Sequence, residues 1–195
     1  MGRYGGGPAG PLHLNSVNVG TMRASNIVLV GFMGAGKTVC GRLLAHRLSR
    51  CVVETDDMII AGEGRSIPEI FRREGEERFR QLEGEVLELL RLKAGDVIAT
   101  GGGFPCREGR MDALRALGTV VWLRGDLSEL HARATRSGDR PMLAGRSPAE
   151  IEDLYRRREP FYRQAHVTVD TTGIGPDEVV SRVMAALREH DAARV

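Results

Sequence analysis

The chain has 195 residues, a length that suits a single domain with one hydrophobic core. Hydrophobic residues make up 42% and charged residues 28%, which excludes wholesale disorder, and no apolar run is long enough to span a membrane. With 28 basic and 26 acidic residues, the net charge of +2 does not favour nucleic acid or a membrane surface as a partner. The three cysteines are widely spaced and form neither a disulfide framework nor a metal-ligand pattern, which favours a reducing, cytoplasmic location.

The first 24 residues are expected to form a leader outside the folded domain, which would span residues 25–195. This segment is rich in glycine and shows neither helical nor strand periodicity. It also lacks the apolar stretch of roughly 7–15 residues that a signal peptide needs. We therefore predict a disordered leader or one added for expression, with Met22 as an alternative start.

Strand and helix signals alternate along the rest of the chain. Short, continuous apolar runs predict five strands, at residues 27–30, 51–53, 97–100, 119–123 and 167–169. Helical spacing and capping residues predict helices that begin near residues 38, 66, 76, 147 and 176. Gly75 separates the second helix from the third, whose apolar stripe is predicted to consist of Phe79, Leu82, Val86, Leu89 and Leu90. This alternation predicts an α/β domain with a parallel sheet that helices cover on both faces.

A glycine-rich segment with the sequence GFMGAGKT lies between the first strand and the first helix, at residues 31–38. It matches the G-x-x-x-x-G-K-[ST] pattern of phosphate-binding loops. Glycines let backbone N–H groups converge on phosphate oxygens, Lys37 reaches the β- and γ-phosphates, and the Thr38 hydroxyl binds Mg²⁺. The pattern predicts a site for ATP or GTP formed by Gly34, Ala35, Gly36, Lys37, Thr38 and Val39. It does not identify the group that receives the phosphate.

Two further segments follow predicted strands and are candidates for the acceptor side. Glu54 and Asp56 come at the end of the second strand, where carboxylates can bind Mg²⁺ through water and accept a proton from a hydroxyl. Acidic residues at such positions are also common helix N-caps. Three glycines at residues 101–103 end the third strand, and they indicate either a close approach of the backbone to a ligand or a flexible turn.

Three arginines stand out by their sequence context: Arg80 in FRQLE, Arg140 in DRPML and Arg158 at the end of an RRR run. A guanidinium group is suited to bind a carboxylate or a phosphate. Because the chain is rich in arginine, any one of them alone would be expected on the solvated surface. Their order relative to the other motifs is therefore more informative than any single position.

After the phosphate loop, five segments follow in a defined order, at residues 54–56, 75–80, 100–103, 140–143 and 158–162. This set resembles the shikimate kinases, and the resemblance runs from about residue 26 to residue 190. It implies a three-layer P-loop fold of the nucleoside-monophosphate-kinase type, with a five-stranded parallel sheet of order 2-3-1-4-5 and a mobile lid. It also implies transfer of the γ-phosphate of ATP to the 3-hydroxyl of shikimate, with Mg²⁺, in the pathway to chorismate.

The resemblance assigns roles to individual residues of the acceptor side. Asp56 would contact the ring hydroxyls of shikimate and take up the proton of the attacking hydroxyl. Arg80 and Arg158 would hold the shikimate carboxylate. The backbone N–H of Gly102 would contact another hydroxyl, and Gly103 would belong to the same substrate site.

The resemblance also concerns the lid and the metal. Arg140 would come from a lid over residues 135–148 onto the ATP phosphates and take part in catalysis. The carboxylate that reaches Mg²⁺ through water is usually Asp in this family, whereas this chain has Glu54. The lid arginine on the adenine side is either Arg133 or Arg136.

Two other functions share part of this pattern. A gluconate kinase-like enzyme would share the phosphate loop and the fold, but it should lack the triple glycine and the Phe-Arg motif. A regulatory module that binds a nucleotide without catalysis should have lost some of the functional residues. We therefore expect a monomeric kinase that binds shikimate and ATP, and neither nucleic acid nor a membrane.

Overall fold

A five-stranded parallel sheet of order β2-β3-β1-β4-β5 forms the centre of the molecule, which confirms the order that the resemblance implied. The strands are β1 (Asn26–Val30), β2 (Val52–Glu54), β3 (Val97–Ala99), β4 (Gly118–Arg124) and β5 (Val167–Asp170). Ile27 on the central strand pairs with Val97 of β3 on one side and with Thr119 of β4 on the other. All five residues of β1 are buried, because both faces of a parallel sheet are covered.

This computed structural model describes residues 25–136 and 146–193. The predicted leader over residues 1–24 lies outside the described residues, and so do Arg140 and most of the predicted lid. The helices are α1 (Lys37–Leu48), α2 (Thr55–Glu63), α3 (Ile67–Leu90), α4 (Arg110–Leu117), α5 (Leu127–Arg136), α6 (Pro148–Tyr162) and α7 (Pro176–Ala192). Within the described residues, no helix is long and apolar enough to cross a membrane.

Helix α3 is interrupted at Gly75, as predicted. This residue has a φ of 80° and a ψ of 179°, so two helical segments meet there at a kink. Ser66 is the N-cap residue of the first segment, although its side chain makes no capping hydrogen bond. At the start of α6, by contrast, Ser147 and Glu150 form the full reciprocal capping box that their spacing predicted.

Two local features differ from the sequence prediction. Helix α2 begins at Thr55 directly after β2, so Glu54 occupies the N-cap position and Asp56 lies in the first turn of a helix. In α3, Leu89 was predicted on the apolar stripe, but it is 52% exposed. Leu87 is buried instead, because it follows Phe79 by eight residues and therefore lies on the same helical face. Glu83, at the intervening position, is also buried.

The parallel arrangement brings three chain segments to one edge of the sheet. The phosphate loop follows β1, Glu54 ends β2, and the glycines at 101–103 come shortly after β3. In open α/β sheets, ligands bind in the crevice at the carboxyl ends of the strands. The fold therefore places the predicted nucleotide and acceptor segments side by side.

Candidate active site

A cleft of about 620 Å³ opens at the carboxyl ends of β1, β2 and β3. Every predicted site residue within the described ranges lines it: Gly34, Ala35, Gly36, Lys37, Thr38, Val39, Glu54, Asp56, Arg80, Gly102, Gly103 and Arg158. Arg140 lies outside the described residues. We call the part around the phosphate loop the nucleotide end, and the part around Arg80, Arg158 and residues 101–103 the acceptor end.

The phosphate loop places Lys37 at the start of α1. Gly36, the N-cap residue, has a φ of 83°, which residues with a side chain rarely adopt, so glycine permits the sharp entry into the helix. Lys37 is 8% exposed, and its Nζ donates hydrogen bonds to the carbonyl oxygens of Gly31, at 2.8 Å, and Phe32, at 2.9 Å. The ammonium group thus lies beside the positive end of α1, and the two together favour a bound anion.

The two predicted carboxylates have different surroundings. The side chain of Glu54 is 13% exposed and accepts a hydrogen bond from Arg42 Nε on α1 at 2.8 Å, and Arg42 Nη2 lies 2.6 Å from the same oxygen in an ion pair. Asp56 lies against the glycine turn, since a Cβ atom on Gly101 would lie 2.5 Å from Asp56 Oδ1. The Gly101 N–H donates to Thr55 Oγ1 at 2.9 Å, which joins the end of β3 to the start of α2.

Arg80 is buried and is held by two carboxylates of its own helix. Its Nη1 donates to both oxygens of Glu83, at 3.0 and 2.9 Å. On the other edge, Nη2 and Nε donate to Glu76 Oε1, at 2.7 and 3.2 Å. The side chains of Arg80 and Glu83 are 8% and 1% exposed, so this pair is shielded from water. The guanidinium plane is therefore oriented without a ligand.

Glu83 lines the cleft, and the sequence motifs did not identify it. Burial raises the pKa of Glu83 above its ordinary value, although the positive charges of Arg80 and Arg110 oppose this shift. Arg110 lies behind the pair, where its Nη2 donates to the Arg80 carbonyl oxygen at 3.2 Å and its Cζ lies 5.3 Å from the Phe104 ring centre. The available signal was an acidic residue within the apolar stripe, four residues after Phe79.

Arg158 on α6 meets Arg80 at the glycine turn. It is 6% exposed, and its Cζ lies 5.9 Å from the ring centre of Phe32. A Cβ atom on Gly103 would lie 2.7 Å from Arg80 Nη1 and 3.1 Å from Arg158 Nη2, so a larger residue would displace both groups. Two buried guanidinium groups thus converge on one point of the cleft, and this arrangement favours binding of a carboxylate.

An apolar wall completes the acceptor end. The rings of Phe71 and Phe79 are 4.8 Å apart, and Ile60 and Ile67 extend the wall. The kink at Gly75 lies between the two phenylalanines, so each segment of α3 contributes one ring. The sequence placed Phe79 in the core, and its role in the cleft wall became apparent only from the fold. A small ligand with a hydrocarbon ring and several polar groups would match these surroundings.

The nucleotide end extends along α5 and α7 to Arg133, Ile174 and Pro176. Arg133 is held in place, because its Nη2 donates to the carbonyl oxygens of Thr171, at 3.0 Å, and Ile174, at 3.4 Å. Arg136, the other candidate for the adenine side, is exposed and does not line the cleft. Of these two arginines, Arg133 is therefore the one that lines the cleft.

The oxygen donors in the cleft fit a magnesium ion that is bound mainly by phosphates. Thr38, Glu54 and Asp56 all line the same cleft, and Mg²⁺ prefers oxygen ligands. Among the described residues, no group of three or more His, Cys, Asp or Glu side chains could hold a metal by itself. A few protein oxygens together with phosphates and water are the usual environment of Mg²⁺ in phosphoryl transfer.

The fold and the cleft define the class of the protein. A phosphate loop at the end of the central strand of a 2-3-1-4-5 sheet, next to a pocket for a second anionic ligand, is typical of P-loop phosphotransferases. A family model described as shikimate kinase matches residues 33–188. The chain is 46% identical to the shikimate kinase of Symbiobacterium thermophilum over 170 residues, which is 84% of this chain and 97% of the relative.

Solved structures agree with this family. The shikimate kinase of Acinetobacter baumannii in complex with shikimate matches with a TM-score of 0.81 and 36% identity, over 85% of this chain and 94% of that chain. The shikimate kinase of Aquifex aeolicus matches with a TM-score of 0.76 and 32% identity, over 86% and 98%. The chain belongs to the shikimate kinase family. A gluconokinase from Sinorhizobium meliloti, at 18% identity and a TM-score of 0.52, shares only the fold.

Proposed function

We propose that the nucleotide end binds ATP and the acceptor end binds shikimate, so that the γ-phosphate passes to the 3-hydroxyl. The reaction class follows from the family: the chain is a kinase that phosphorylates shikimate with ATP in aromatic biosynthesis. The products would be shikimate 3-phosphate and ADP. The observation that best supports the acceptor is the convergence of Arg80 and Arg158 on Gly103, in the same cleft as the phosphate loop.

Each end of the cleft supplies what one substrate requires. Shikimate has one carboxylate and three hydroxyls, so Arg158 and the N–H groups of Arg80 that Glu76 and Glu83 leave available would donate to the carboxylate. Asp56 and the backbone at Gly102 and Gly103 would bind hydroxyls. The apolar wall around Phe79 would pack on the carbon ring. The substrate would thereby be oriented with one hydroxyl towards the phosphate loop.

The chemical step needs a proton acceptor and positive charge near the transferred group. As the 3-hydroxyl oxygen forms its bond to the γ-phosphorus, the bond from that phosphorus to the β–γ bridging oxygen breaks and ADP leaves. Asp56 would accept the hydroxyl proton. Lys37 would stabilise the charge on the phosphate oxygens, and Arg140 would add a second cation from the lid.

Thr38 and Glu54 would hold Mg²⁺, with Glu54 acting through water. The ion, when bound, neutralises negative charge on the ATP phosphates. Arg133, together with Pro176, would contact the adenine ring, because a guanidinium group stacks on flat aromatic surfaces. The protein residues thereby position the nucleotide from its base to its terminal phosphate.

The alternatives from the sequence have less support. The likeness to a gluconokinase is one of fold, and gluconate kinase-like activity would leave the convergent arginines without an explanation. A regulatory module without catalysis would not need Lys37, Asp56 and two buried arginines in one cleft. We propose a monomer, because the cleft is complete within one chain as far as the structure describes it.

A coupled assay of ADP release tests this proposal. Shikimate should support turnover, whereas gluconate and quinate at equal concentration should not. Phosphorus NMR of the product should locate the phosphate on the 3-oxygen. Turnover with gluconate and none with shikimate would refute the assignment, and tight ATP binding without turnover on any of the three would favour the regulatory module.

A further inference from the structure

The hydrogen bonds of the triple glycine account for most of its backbone groups. The Gly101 N–H donates to Thr55, and the Gly101 carbonyl accepts from the N–H of residue 104. The Gly103 carbonyl accepts from the N–H of Cys106. In the part of the chain that the structure describes, the N–H groups of Gly102 and Gly103 have no acceptor, and both residues line the cleft. Backbone donors without a partner at a cleft are available for a ligand.

The carbonyl between these two donors is held by a side chain. Tyr162 donates its hydroxyl hydrogen to the Gly102 oxygen at 2.6 Å, which is short for a hydrogen bond between O–H and O. Tyr162 is fully buried, and its ring centre lies 6.0 Å from that of Trp122. Burial raises the pKa of Tyr162 well above its ordinary value, so the hydroxyl remains protonated and can donate.

We propose that Tyr162 is a positioning residue for shikimate, because it fixes the peptide between Gly102 and Gly103 with the Gly103 N–H directed into the acceptor end. This inference rests on the proposed function. Tyr162 would not touch the substrate itself. Its effect would be on the binding of shikimate and not on the binding of ATP.

The geometry of the peptide unit explains the effect. The carbonyl and the N–H of a trans peptide point in opposite directions, so the Gly103 N–H points away from the Tyr162 hydroxyl. Glycine residues on both sides would otherwise permit this peptide to rotate, because they lack the steric limits of other residues. Rotation would turn the donor away from the cleft and direct a carbonyl oxygen towards the substrate hydroxyls and carboxylate.

The position of Tyr162 on α6 joins two parts of the acceptor end. It follows Arg158 by four residues, so both side chains lie on the same face of the helix. One helix thereby carries a proposed carboxylate ligand and the group that orients the glycine turn. Cys106 contributes a weaker contact, since its Sγ lies 3.6 Å from the Gly102 oxygen. The thiol alone would not replace the phenol, because S–H is a weak donor.

Tyr162→Phe tests the inference with little change in shape. Loss of one neutral hydrogen bond should raise the Kd and the KM for shikimate about 5- to 20-fold. The KM for ATP and kcat should stay within about threefold, since the nucleotide end is not contacted. Tyr155→Phe is the matched control, because Tyr155 is half-buried on the same helix and packs edge-on to Phe32 at 5.3 Å. This control should behave like the unchanged protein.

Deoxy analogues of shikimate make the test specific. If the turn holds a hydroxyl, Tyr162→Phe should weaken binding of shikimate but hardly affect the one deoxy analogue that lacks this hydroxyl. An equal penalty for every analogue, or equal losses for ATP and shikimate, would show a merely structural role and overturn the inference. Amide exchange at Gly102 and Gly103 in the unchanged protein gives a second measurement, and it should slow when shikimate binds.

The outcomes also separate this inference from the proposed function. If the unchanged protein phosphorylates shikimate and Tyr162→Phe leaves its affinity unaltered, only the role of Tyr162 is refuted. If shikimate does not change the amide exchange rates of Gly102 and Gly103 while turnover is normal, the glycine turn does not contact shikimate. A protein that does not act on shikimate at all refutes the proposed function and the inference with it.

Discussion

The two ends of the cleft are built in different ways. The phosphate-binding part of the nucleotide end comes from one short segment, residues 33–39, in which backbone groups and the start of a helix provide most of the interactions. The acceptor end comes from four segments far apart in sequence, and charged side chains provide most of the interactions. A contiguous backbone site is fixed by local geometry, whereas a side-chain site depends on the packing of several elements.

The charges at the two ends are also held differently. Lys37 Nζ donates to the backbone carbonyl oxygens of Gly31 and Phe32, which carry no formal charge. Arg80 is paired with Glu83 and Glu76, so much of its charge is already balanced. Two ion pairs therefore preorganise Arg80 at the acceptor end. Substitutions at the nucleotide end should affect catalysis, and those at the acceptor end should affect recognition.

Lys37→Ala should have the largest effect and tests whether the two ends are separable. We expect kcat to fall by about three orders of magnitude, because Lys37 supplies charge where it develops in the transition state. The Kd for shikimate, measured by calorimetry, should change little. Thr38→Ala serves as a milder variant of the same end. Near-normal kcat in Lys37→Ala would contradict the proposed role, and a large loss of shikimate affinity would show that the ends are coupled.

Arg158→Ala and Arg80→Ala should each weaken shikimate binding by about 2–4 kcal/mol, because each leaves a carboxylate half-paired in a buried site. The KM for ATP should change far less. Arg158→Lys should restore only part of the affinity, since an ammonium group cannot form the two-pronged contact. Arg107→Ala is a suitable control, because Arg107 pairs with Glu77 on the surface. Equal losses for ATP and shikimate would argue against the carboxylate role.

The comparison also explains how much could be predicted from the sequence. The phosphate loop follows from a local motif and the parallel sheet from the alternation of strands and helices, whereas the strand order was implied by the resemblance to the shikimate kinases. The buried Glu83 could not be predicted, because a charged residue in an apolar stripe has meaning only once Arg80 is seen beside it. Helix α2 was missed because it starts without a loop, and only Thr55 and Ile59 are buried in it. The carbonyl contact of Tyr162 likewise depends on the packing of α6 against the glycine turn that follows β3.

Glu54→Gln probes the boundary between the ends and should lower activity about 10- to 100-fold, the effect expected for a residue next to a metal ligand shell. The activity of Glu54→Asp should stay within about tenfold of that of the unchanged protein, because the negative charge is kept. The Arg42 side chain is 63% exposed and can move to keep its ion pair with the shorter carboxylate. Magnesium titrations are the decisive measurement. Glu54→Gln should need more Mg²⁺ for half-maximal rate, whereas Asp56→Asn should lose more activity without this shift. If Glu54→Gln changes neither the activity nor the Mg²⁺ concentration needed for half-maximal rate, Glu54 does not help to bind the metal.

Glu83→Gln should have the smallest effect and tests whether the network orients Arg80. We expect the KM for shikimate to rise about 5- to 10-fold at neutral pH, because Arg80 loses a charged partner but keeps Glu76.

The same substitution should not lower the free energy of unfolding. Burial raises the pKa of Glu83, so between the ordinary pKa of a glutamate and this raised pKa the folded chain binds a proton that the unfolded chain releases. The free energy of unfolding therefore falls as pH rises through this range. Thermal melts should therefore give Glu83→Gln a Tm at neutral pH equal to or above that of the unchanged protein.

The pH dependence separates orientation from simple packing. A protonated Glu83 resembles Gln, so acidification through the raised pKa of Glu83 should weaken shikimate binding in the unchanged protein and remove the difference between the two. The ratio of their KM values for shikimate should thus approach one as pH falls. Protonation of the shikimate carboxylate affects both proteins and cancels in this ratio. A ratio that stays constant with pH would show that the charge of Glu83 does not hold Arg80 in its binding orientation, and the acceptor end would then be organised by packing, as the nucleotide end is by its backbone.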